Sequence, residues 1–180
     1  MNNNPRQVQI WDIVEKDLPD TIGITAIEYF FAGWEYESGF YIGTPDLSLA
    51  IKCYEKAVTM GDTKAMIALA KLYARNDDPE NAYRWYLEAA LTVDDAEAIA
   101  KIGEMYFEGE YVRADLERAY RYFRVAYEKG EPKAMYYLGL YAEQGILGAP
   151  DLDKARKLYL EGTAKYEKAC MERLSALDDR

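Results

Sequence analysis

The chain has 180 residues, of which 50% are hydrophobic and 30% are charged, a composition that supports a buried core and disfavours disorder. Its 32 acidic and 22 basic residues give a formal charge of −10, which argues against sequence-independent binding to nucleic-acid phosphates. Histidine is absent, so Ser-His-Asp and Cys-His nucleophiles and all histidine-containing zinc sites are excluded.

Residues 1–19 have the pattern of a short amphipathic helix. Asn4 suits the N-cap, Pro5 the first helical position, and Gln7 the position three after the cap. Apolar residues then follow at helical spacing, at Val8, Trp11, Val14 and Leu18. We predict an N-terminal capping helix here. The segment lacks the apolar run of a signal peptide, and no stretch approaches the ~18 apolar residues of a membrane span, so we expect a cytoplasmic protein without membrane contact.

From residue 22 onward the sequence repeats itself, most clearly in copies that begin at Ala98 and Ala134, 36 positions apart. A small residue recurs in the first half of each copy, at Gly33, Ala70, Gly103 and Gly139. An aromatic residue recurs in the second half, at Tyr54, Tyr86, Phe123 and Tyr159. The predicted repeats are about 22–61, 62–94, 95–130 and 131–166, and residues 167–177 form a C-terminal capping helix, the first half of a fifth unit.

Each repeat is predicted to be a pair of helices, because apolar residues in both halves recur at i, i+3, i+4 and i+7. An aspartate stands where it can cap each second helix, at Asp46, Asp78, Asp115 and Asp151. Pro79 and Pro132 suit a first helical turn, and Gly61 and Gly130 suit the end of a second helix.

The helical glycines predict close contact between helices. A glycine such as Gly103 or Gly139 inside a helix costs about 1 kcal/mol relative to alanine, so its recurrence needs a compensating gain. We expect these small residues to face an alanine of the second helix, at positions 50, 82, 119 and 155. The aromatic column is then expected to fill the gaps between repeats, which accounts for most of the 17 tyrosines.

The pattern Ala-x-x-x-Leu-Gly-x-x-Tyr-x-x-Gly, followed by Asp and then by Ala-x-x-Tyr/Phe-x-x-Ala, resembles the Sel-one-like repeat (SLR) family, a relative of the tetratricopeptide repeat. The resemblance covers residues 22–177 and is strongest in 96–130 and 134–162. It implies an all-α, right-handed α/α superhelix (solenoid) of about four helix-turn-helix repeats with N- and C-terminal capping helices, forming one domain over residues 1–180.

The two cysteines do not follow the cysteine-rich members of that family, in which each repeat is bridged. Cys53 and Cys170 lie 117 positions apart and neither has a nearby cysteine partner. We expect two buried, reduced thiols, which fits a reducing compartment.

The resemblance also implies that the first helix of each repeat lines a concave binding surface. Taking the Gly/Ala column as the register, the outward positions are Ile27, Phe30, Trp34, Glu37, Lys64, Ile67, Lys71, Arg75, Glu97, Ala100, Glu104, Phe107, Glu108, Lys133, Tyr136, Leu140 and Glu143. The predicted partner-binding residues among them are Phe30, Trp34, Lys64, Ile67, Lys71, Arg75, Glu104, Phe107, Tyr136 and Leu140. They describe a groove with an aromatic end, a basic band and an acidic band, suited to a peptide of both charge signs.

Each of these assignments has an alternative. Phe30 and Trp34 are the expected anchors, yet Trp34 could instead pack against Trp11 of the N-terminal segment. Lys71 and Arg75 could hold a carboxylate or simply form a solvated helix face. The acidic group around Glu104 is expected to be a solvated surface rather than a metal site, because no calcium-loop pattern is present.

Taken together, these features favour a non-enzymatic adaptor or scaffold that binds a protein or peptide. We expect no catalytic residue, cofactor or metal, since nucleotide-binding motifs are missing and carboxylate pairs such as Glu104 and Glu108 are common on helix surfaces. Two other classes stay open. One is an immunity or other neutralising protein for a basic toxin, and the other is a self-associating structural protein.

Overall fold

The structure is a computed structural model that describes residues 24–40, 43–165 and 167–178, and within these residues it contains nine helices and no strand. The helices are α1 (Ala26–Ser38), α2 (Leu47–Thr59), α3 (Lys64–Arg75), α4 (Pro79–Thr92), α5 (Ala96–Glu108), α6 (Leu116–Glu128), α7 (Pro132–Gln144), α8 (Leu152–Thr163) and α9 (Lys168–Asp178). The predicted all-α helical-repeat fold and the C-terminal helix are confirmed. The predicted N-terminal helix lies outside the described residues.

The described residues fall into two compact units, and the division between Trp85 and Tyr86 lies within α4. In the first unit α1 packs on α2, and α2 packs on α3, around a core that includes Tyr29, Tyr54 and Leu69. The second unit contains the helix pairs α5–α6 and α7–α8, with α7 also against α6 and α9 against α8. The assignment of all repeats to one domain stays a prediction.

The ends of the helices follow the capping residues of the sequence. The side chains of Asp46, Asp115 and Asp151 each accept a hydrogen bond from a backbone N–H in the first turn of the following helix, as predicted. Pro79 and Pro132 open α4 and α7. Gly61 and Gly130, which follow α2 and α6, adopt φ values of 93° and 83°, the left-handed region that favours glycine.

The helical glycines face aromatic rings rather than alanines, which corrects the sequence prediction. A Cβ at Gly33 would lie 2.7 Å from the Tyr54 ring, and one at Gly103 would lie 2.9 Å from the Phe123 ring. A Cβ at Gly139 would overlap the Tyr159 ring in the same way. Each of these rings therefore fills, inside its own repeat, the space that a Cβ would occupy. Phe123 also stacks on Tyr137 of the next repeat, with centroids 4.3 Å apart, as expected for a ring between repeats.

Both cysteines are buried and free. Burial raises the pKa of Cys53 to about 12, and burial together with the charge of Glu167 raises the pKa of Cys170 to about 12. Neither thiol is therefore ionised to a useful extent near neutral pH, which fits their predicted role as small apolar core residues.

Candidate functional site

Helix α1 of the first unit carries an exposed apolar stripe, which we define as Ile27, Phe31 and Trp34. The three side chains are 56%, 50% and 47% exposed, and their i, i+4, i+7 spacing places them on one face of the helix. The other face holds Tyr29 and Tyr36, which are buried in the core. Helix α1 is therefore apolar on two faces, of which only one is covered within the described residues.

A pocket of about 380 Å³ opens beside this stripe. Its lining comprises Ala26, Ile27, Phe30, Phe31, Met60, Gly61, Asp62, Thr63 and Lys64. The structure thus brings together two of the predicted partner-binding residues, Phe30 and Lys64. The Phe30 ring is half-buried, with its centroid 5.7 Å from that of Tyr54, whereas Lys64 is exposed at the rim.

The predicted basic band in the first unit is partly neutralised by the chain itself. Arg75 forms an ion pair with Glu37, and the Tyr54 hydroxyl donates a hydrogen bond to the same carboxylate at 2.6 Å. Arg75 is thus already paired and cannot be assigned as a free binding group for a carboxylate of the partner. Lys71 is exposed and Ile67 is half-buried.

In the second unit, Glu104 is the centre of an ion network between α5 and α7. Its carboxylate lies 2.6 Å from the Lys101 ammonium and 3.6 Å from that of Lys133, and it accepts a 3.0 Å hydrogen bond from the Tyr137 hydroxyl. Burial disfavours the charged form of Glu104. The ammonium groups and the hydroxyl together outweigh burial, so the pKa of this carboxyl lies below its ordinary value.

Glu143 of α7 has a similar role between α8 and α9. It accepts hydrogen bonds from the Tyr159 hydroxyl at 2.9 Å and from Arg173 Nε at 3.2 Å, and its side chain is 5% exposed. Glu37 and Glu143 each stand four residues after a glycine of the small-residue column. Each accepts a hydrogen bond from the tyrosine whose ring packs against that glycine. Both belong to an internal pairing of the repeat, and the expectation that Glu143 faces outward was wrong.

Several other predicted groove residues are also covered. Leu140 and Ala100 are buried, because α7 packs against α5, α6, α8 and α9 and α5 is buried along most of its length. Phe107 makes edge contacts with the rings of Phe123, Tyr137 and Tyr141, and half-buried Tyr136 packs near Tyr159. Of the ten predicted partner-binding residues, those that are exposed are Trp34, Lys64, Lys71 and Arg75, all in the first unit.

The sequence analysis missed Phe31, Met60, Lys101 and Arg173. A signal for Phe31 was present, since it stands four residues after Ile27 and three before Trp34, on the same face of a helix. Across the described ranges, no group of three or more His, Cys, Asp or Glu residues is arranged to hold a metal ion. None of the described helices has the length and apolar character of a membrane span.

Comparisons with known proteins agree with this architecture. The chain is 35% identical over 111 residues to the alginate biosynthesis protein AlgK of Pseudomonas syringae pv. tomato, a match that covers 59% of this chain and 23% of AlgK. The chain spans about a quarter of the length of the curated relatives that it matches.

Two crystal structures have the same fold. A Sel1 repeat protein from Oxalobacter formigenes is 29% identical with a TM-score of 0.73, over 84% of this chain and 63% of that one. The protective antigen c5321 of uropathogenic Escherichia coli, which displays an SLR fold, is 25% identical with a TM-score of 0.68, over 86% of this chain and 34% of that one. The family model for the Sel1 repeat matches residues 29–62, 63–91, 96–131 and 132–164. Because four successive matches account for most of the helical pairs described above, the chain belongs to the Sel1 repeat family.

Proposed function

We propose that this chain is a non-enzymatic adaptor that binds a protein or peptide through the exposed stripe of α1. The observation that carries the proposal is the stripe itself: Ile27, Phe31 and Trp34 lie side by side, about half exposed, next to a pocket. Aromatic residues that are partly exposed and contiguous are typical anchors of protein interfaces, whereas scattered exposed apolar residues are not.

The geometry favours an amphipathic helix as the bound segment. A partner helix can place its own i, i+4, i+7 residues along the stripe and insert one bulky side chain into the pocket of about 380 Å³. The Lys64 ammonium group at the rim would form an ion pair with an acidic residue of that helix. The net charge of −10 would assist the approach of a partner with basic regions elsewhere.

The state of the carboxylates supports a non-enzymatic role. Glu104 is held ionised at neutral pH by Lys101 and Lys133, so it is a poor general acid. Glu143 is tied to Arg173 and Tyr159. These carboxylates connect neighbouring helices, which is a structural task.

A binding experiment with matched variants tests the proposal. The full chain is immobilised and used to capture partners from the native organism, and each partner is then measured by calorimetry against Phe31→Ala, Trp34→Ala and the control Leu160→Ala. Leu160 of α8 is 52% exposed and lies outside the stripe. We expect the stripe variants to weaken binding at least tenfold and the control to leave it unchanged, with equal melting temperatures. Equal affinity for all four proteins would disprove the role of the stripe.

A second measurement separates a partner from the chain's own N-terminal segment. Acrylamide quenching of Trp34, isolated as the difference between the wild-type chain and Trp34→Phe, reports whether this ring is accessible in the full chain. We expect efficient quenching. A protected Trp34 would mean that residues 1–23 cover the stripe, and the proposed partner site would then be wrong.

A further inference from the structure

The second unit contains a pocket of about 490 Å³ that the sequence analysis did not anticipate. It lies between α6 and α8, and residues of α7 form part of its lining. None of the predicted partner-binding residues lines it. The lining comprises Tyr120, Arg124, Tyr127, Leu138, Tyr141, Ala142, Leu147, Gly148, Ala149, Asp151, Lys154, Lys157, Leu158 and Glu161. A volume of this size is within the range of ligand-binding pockets, ~300–1,000 Å³.

Hydrogen bonds and ring contacts hold the walls of this pocket in place. The Tyr127 hydroxyl donates to Glu161 Oε2 at 2.8 Å and so joins α6 to α8 at one end. In the floor, the Tyr141 hydroxyl donates to the Leu116 carbonyl at 2.7 Å, and the Tyr141 ring lies 5.3 Å from that of Tyr120. The pocket is therefore preformed, and a ligand would not have to order its walls.

The polar groups of the pocket are unevenly satisfied. Its two acidic residues are in use, since Glu161 accepts from Tyr127 and Asp151 caps α8. The Arg124 guanidinium is paired with Glu128 at 3.1 Å. Within the part of the chain that the structure describes, the Lys154 and Lys157 side chains and the Tyr120 hydroxyl have no partner. The lining thus carries three basic and two acidic side chains, and its groups without a partner are two ammonium groups and one hydroxyl.

We propose that this pocket binds an acidic peptide segment that presents one bulky apolar side chain between two or more carboxylates. The apolar side chain packs against the Tyr120 and Tyr141 rings on one side and against Leu158 on the other. The carboxylates pair with Lys154 and Lys157. These lysines stand one turn apart, about 4.5 Å along the axis of α8, a spacing that suits carboxylates on neighbouring residues of the peptide. The proposal does not depend on the α1 stripe or on its partner.

Affinity and selectivity have different sources at such a site. Exposed ion pairs contribute little each, so burial of the apolar side chain against tyrosine and leucine provides most of the binding. The lysines exclude basic segments, which the overall charge of −10 would otherwise attract. Selection of an acidic peptide by a strongly acidic chain is the distinctive consequence of this local charge.

Calorimetry with three defined peptides tests the site in the full chain. The probe is a nine-residue peptide with a central tryptophan flanked by two glutamates on each side; in one comparison peptide the glutamates are replaced by glutamine, and in the other the tryptophan is replaced by serine. At 150 mM salt we expect the probe to bind at least fivefold more tightly than either comparison peptide. Equal binding of the glutamine peptide, or no saturable binding of the probe, would overturn the proposal.

Protein variants locate the binding. The double variant Lys154→Glu, Lys157→Glu is expected to weaken probe binding at least tenfold, and Tyr120→Phe about twofold, because only one hydroxyl is lost. Lys52→Glu on α2 is the control, since Lys52 is also exposed and has no partner among the described residues. Unchanged binding in the double variant, or an equal loss in Lys52→Glu, would show that the pocket is not the site. The lysine variants change exposed side chains, whereas Tyr120→Phe removes only the hydroxyl of a half-buried ring. Equal melting temperatures confirm that all variants are folded.

Discussion

The same helix face has opposite environments in the first and the fourth repeat. Counted from the glycine column, Phe31 and Trp34 of α1 occupy the positions of Tyr137 and Leu140 of α7. The two α1 side chains are about half exposed, whereas Tyr137 and Leu140 are 6% and 8% exposed. Equivalent residues of a repeat are thus an interior contact in one copy and an open surface in another.

The difference lies in the neighbouring helices rather than in the repeat. Helix α7 packs against α5, α6, α8 and α9, and the Tyr137 ring stacks on that of Phe123 with centroids 4.3 Å apart. Helix α1 packs on α2, and the described residues leave its stripe exposed. Because each repeat of such an array contacts only its neighbours, the exposure of a position depends on which helices pack beside its repeat.

The largest expected effect comes from truncating the two aromatic residues at equivalent positions, Tyr137 and Phe31. Tyr137→Ala removes a buried ring stack and the hydroxyl that donates to Glu104, and we expect a loss of about 3–4 kcal/mol in the free energy of unfolding. Phe31→Ala removes a half-exposed ring, and we expect a loss below about 1 kcal/mol. Urea denaturation of both variants measures the two values. Losses of similar size would mean that Phe31 is covered in the full chain and that the contrast between the two faces is wrong.

The sequence predicted local structure well because the relevant forces are local. An aspartate cap such as Asp115 or Asp151 needs only the backbone of the next turn, and a glycine such as Gly61 needs only its own φ value. These positions could be identified from residue type and spacing alone.

The sequence predicted the exposure of the candidate residues less well, because exposure is a property of packing. The register that placed Trp34 on a face left exposed by the described residues also placed Leu140 outward, although α7 is enclosed by other helices. In the same way, Glu143 has the residue type of a surface group but meets Arg173, which is 30 positions later in the chain. The pocket between α6 and α8 was missed because the second helices were assigned to packing alone.

A smaller loss of stability is expected from changing the glycine–aromatic contact, which the first and fourth repeats share. Gly139→Ala places a methyl group into the fully buried Tyr159 ring, and after the helix-propensity gain of about 1 kcal/mol we expect a net loss of about 1–2 kcal/mol. Gly33→Ala is expected to cost less, because its methyl group would be farther from the Tyr54 ring. Gly148→Ala is the control, since nothing lies within 4 Å of its added Cβ. Thermal or urea unfolding in which Gly139→Ala is as stable as Gly148→Ala would contradict the glycine–aromatic contact.

An effect of similar size is a pH dependence at the α5 face, which the equivalent apolar residues of α1 should not show. The positions of Lys101 and Glu104 in the third repeat are those of Phe31 and Trp34 in the first, so an ion network stands where α1 has its stripe. The pKa of Glu104 is lowered in the folded chain, because Lys101, Lys133 and the Tyr137 hydroxyl outweigh the effect of burial. A carboxyl with a lowered pKa stabilises the fold above its unfolded pKa of about 4.3, and this contribution is lost as the pH falls through the folded pKa.

Glu104→Gln removes that contribution at neutral pH. We expect the variant to be less stable than the wild-type chain by about 1–2 kcal/mol at pH 7, and the difference to shrink steadily below about pH 4.3 as the wild-type carboxyl becomes protonated. Glu110→Gln, at an exposed residue of the same unit, is the control for the loss of one negative charge, and Phe31→Ala should show no pH dependence because it changes no titratable group. Urea unfolding at pH 3, 4, 5 and 7 measures all four proteins. If the Glu104→Gln difference persisted at full size at pH 3, then shape and packing rather than charge would distinguish the α5 face from the α1 stripe.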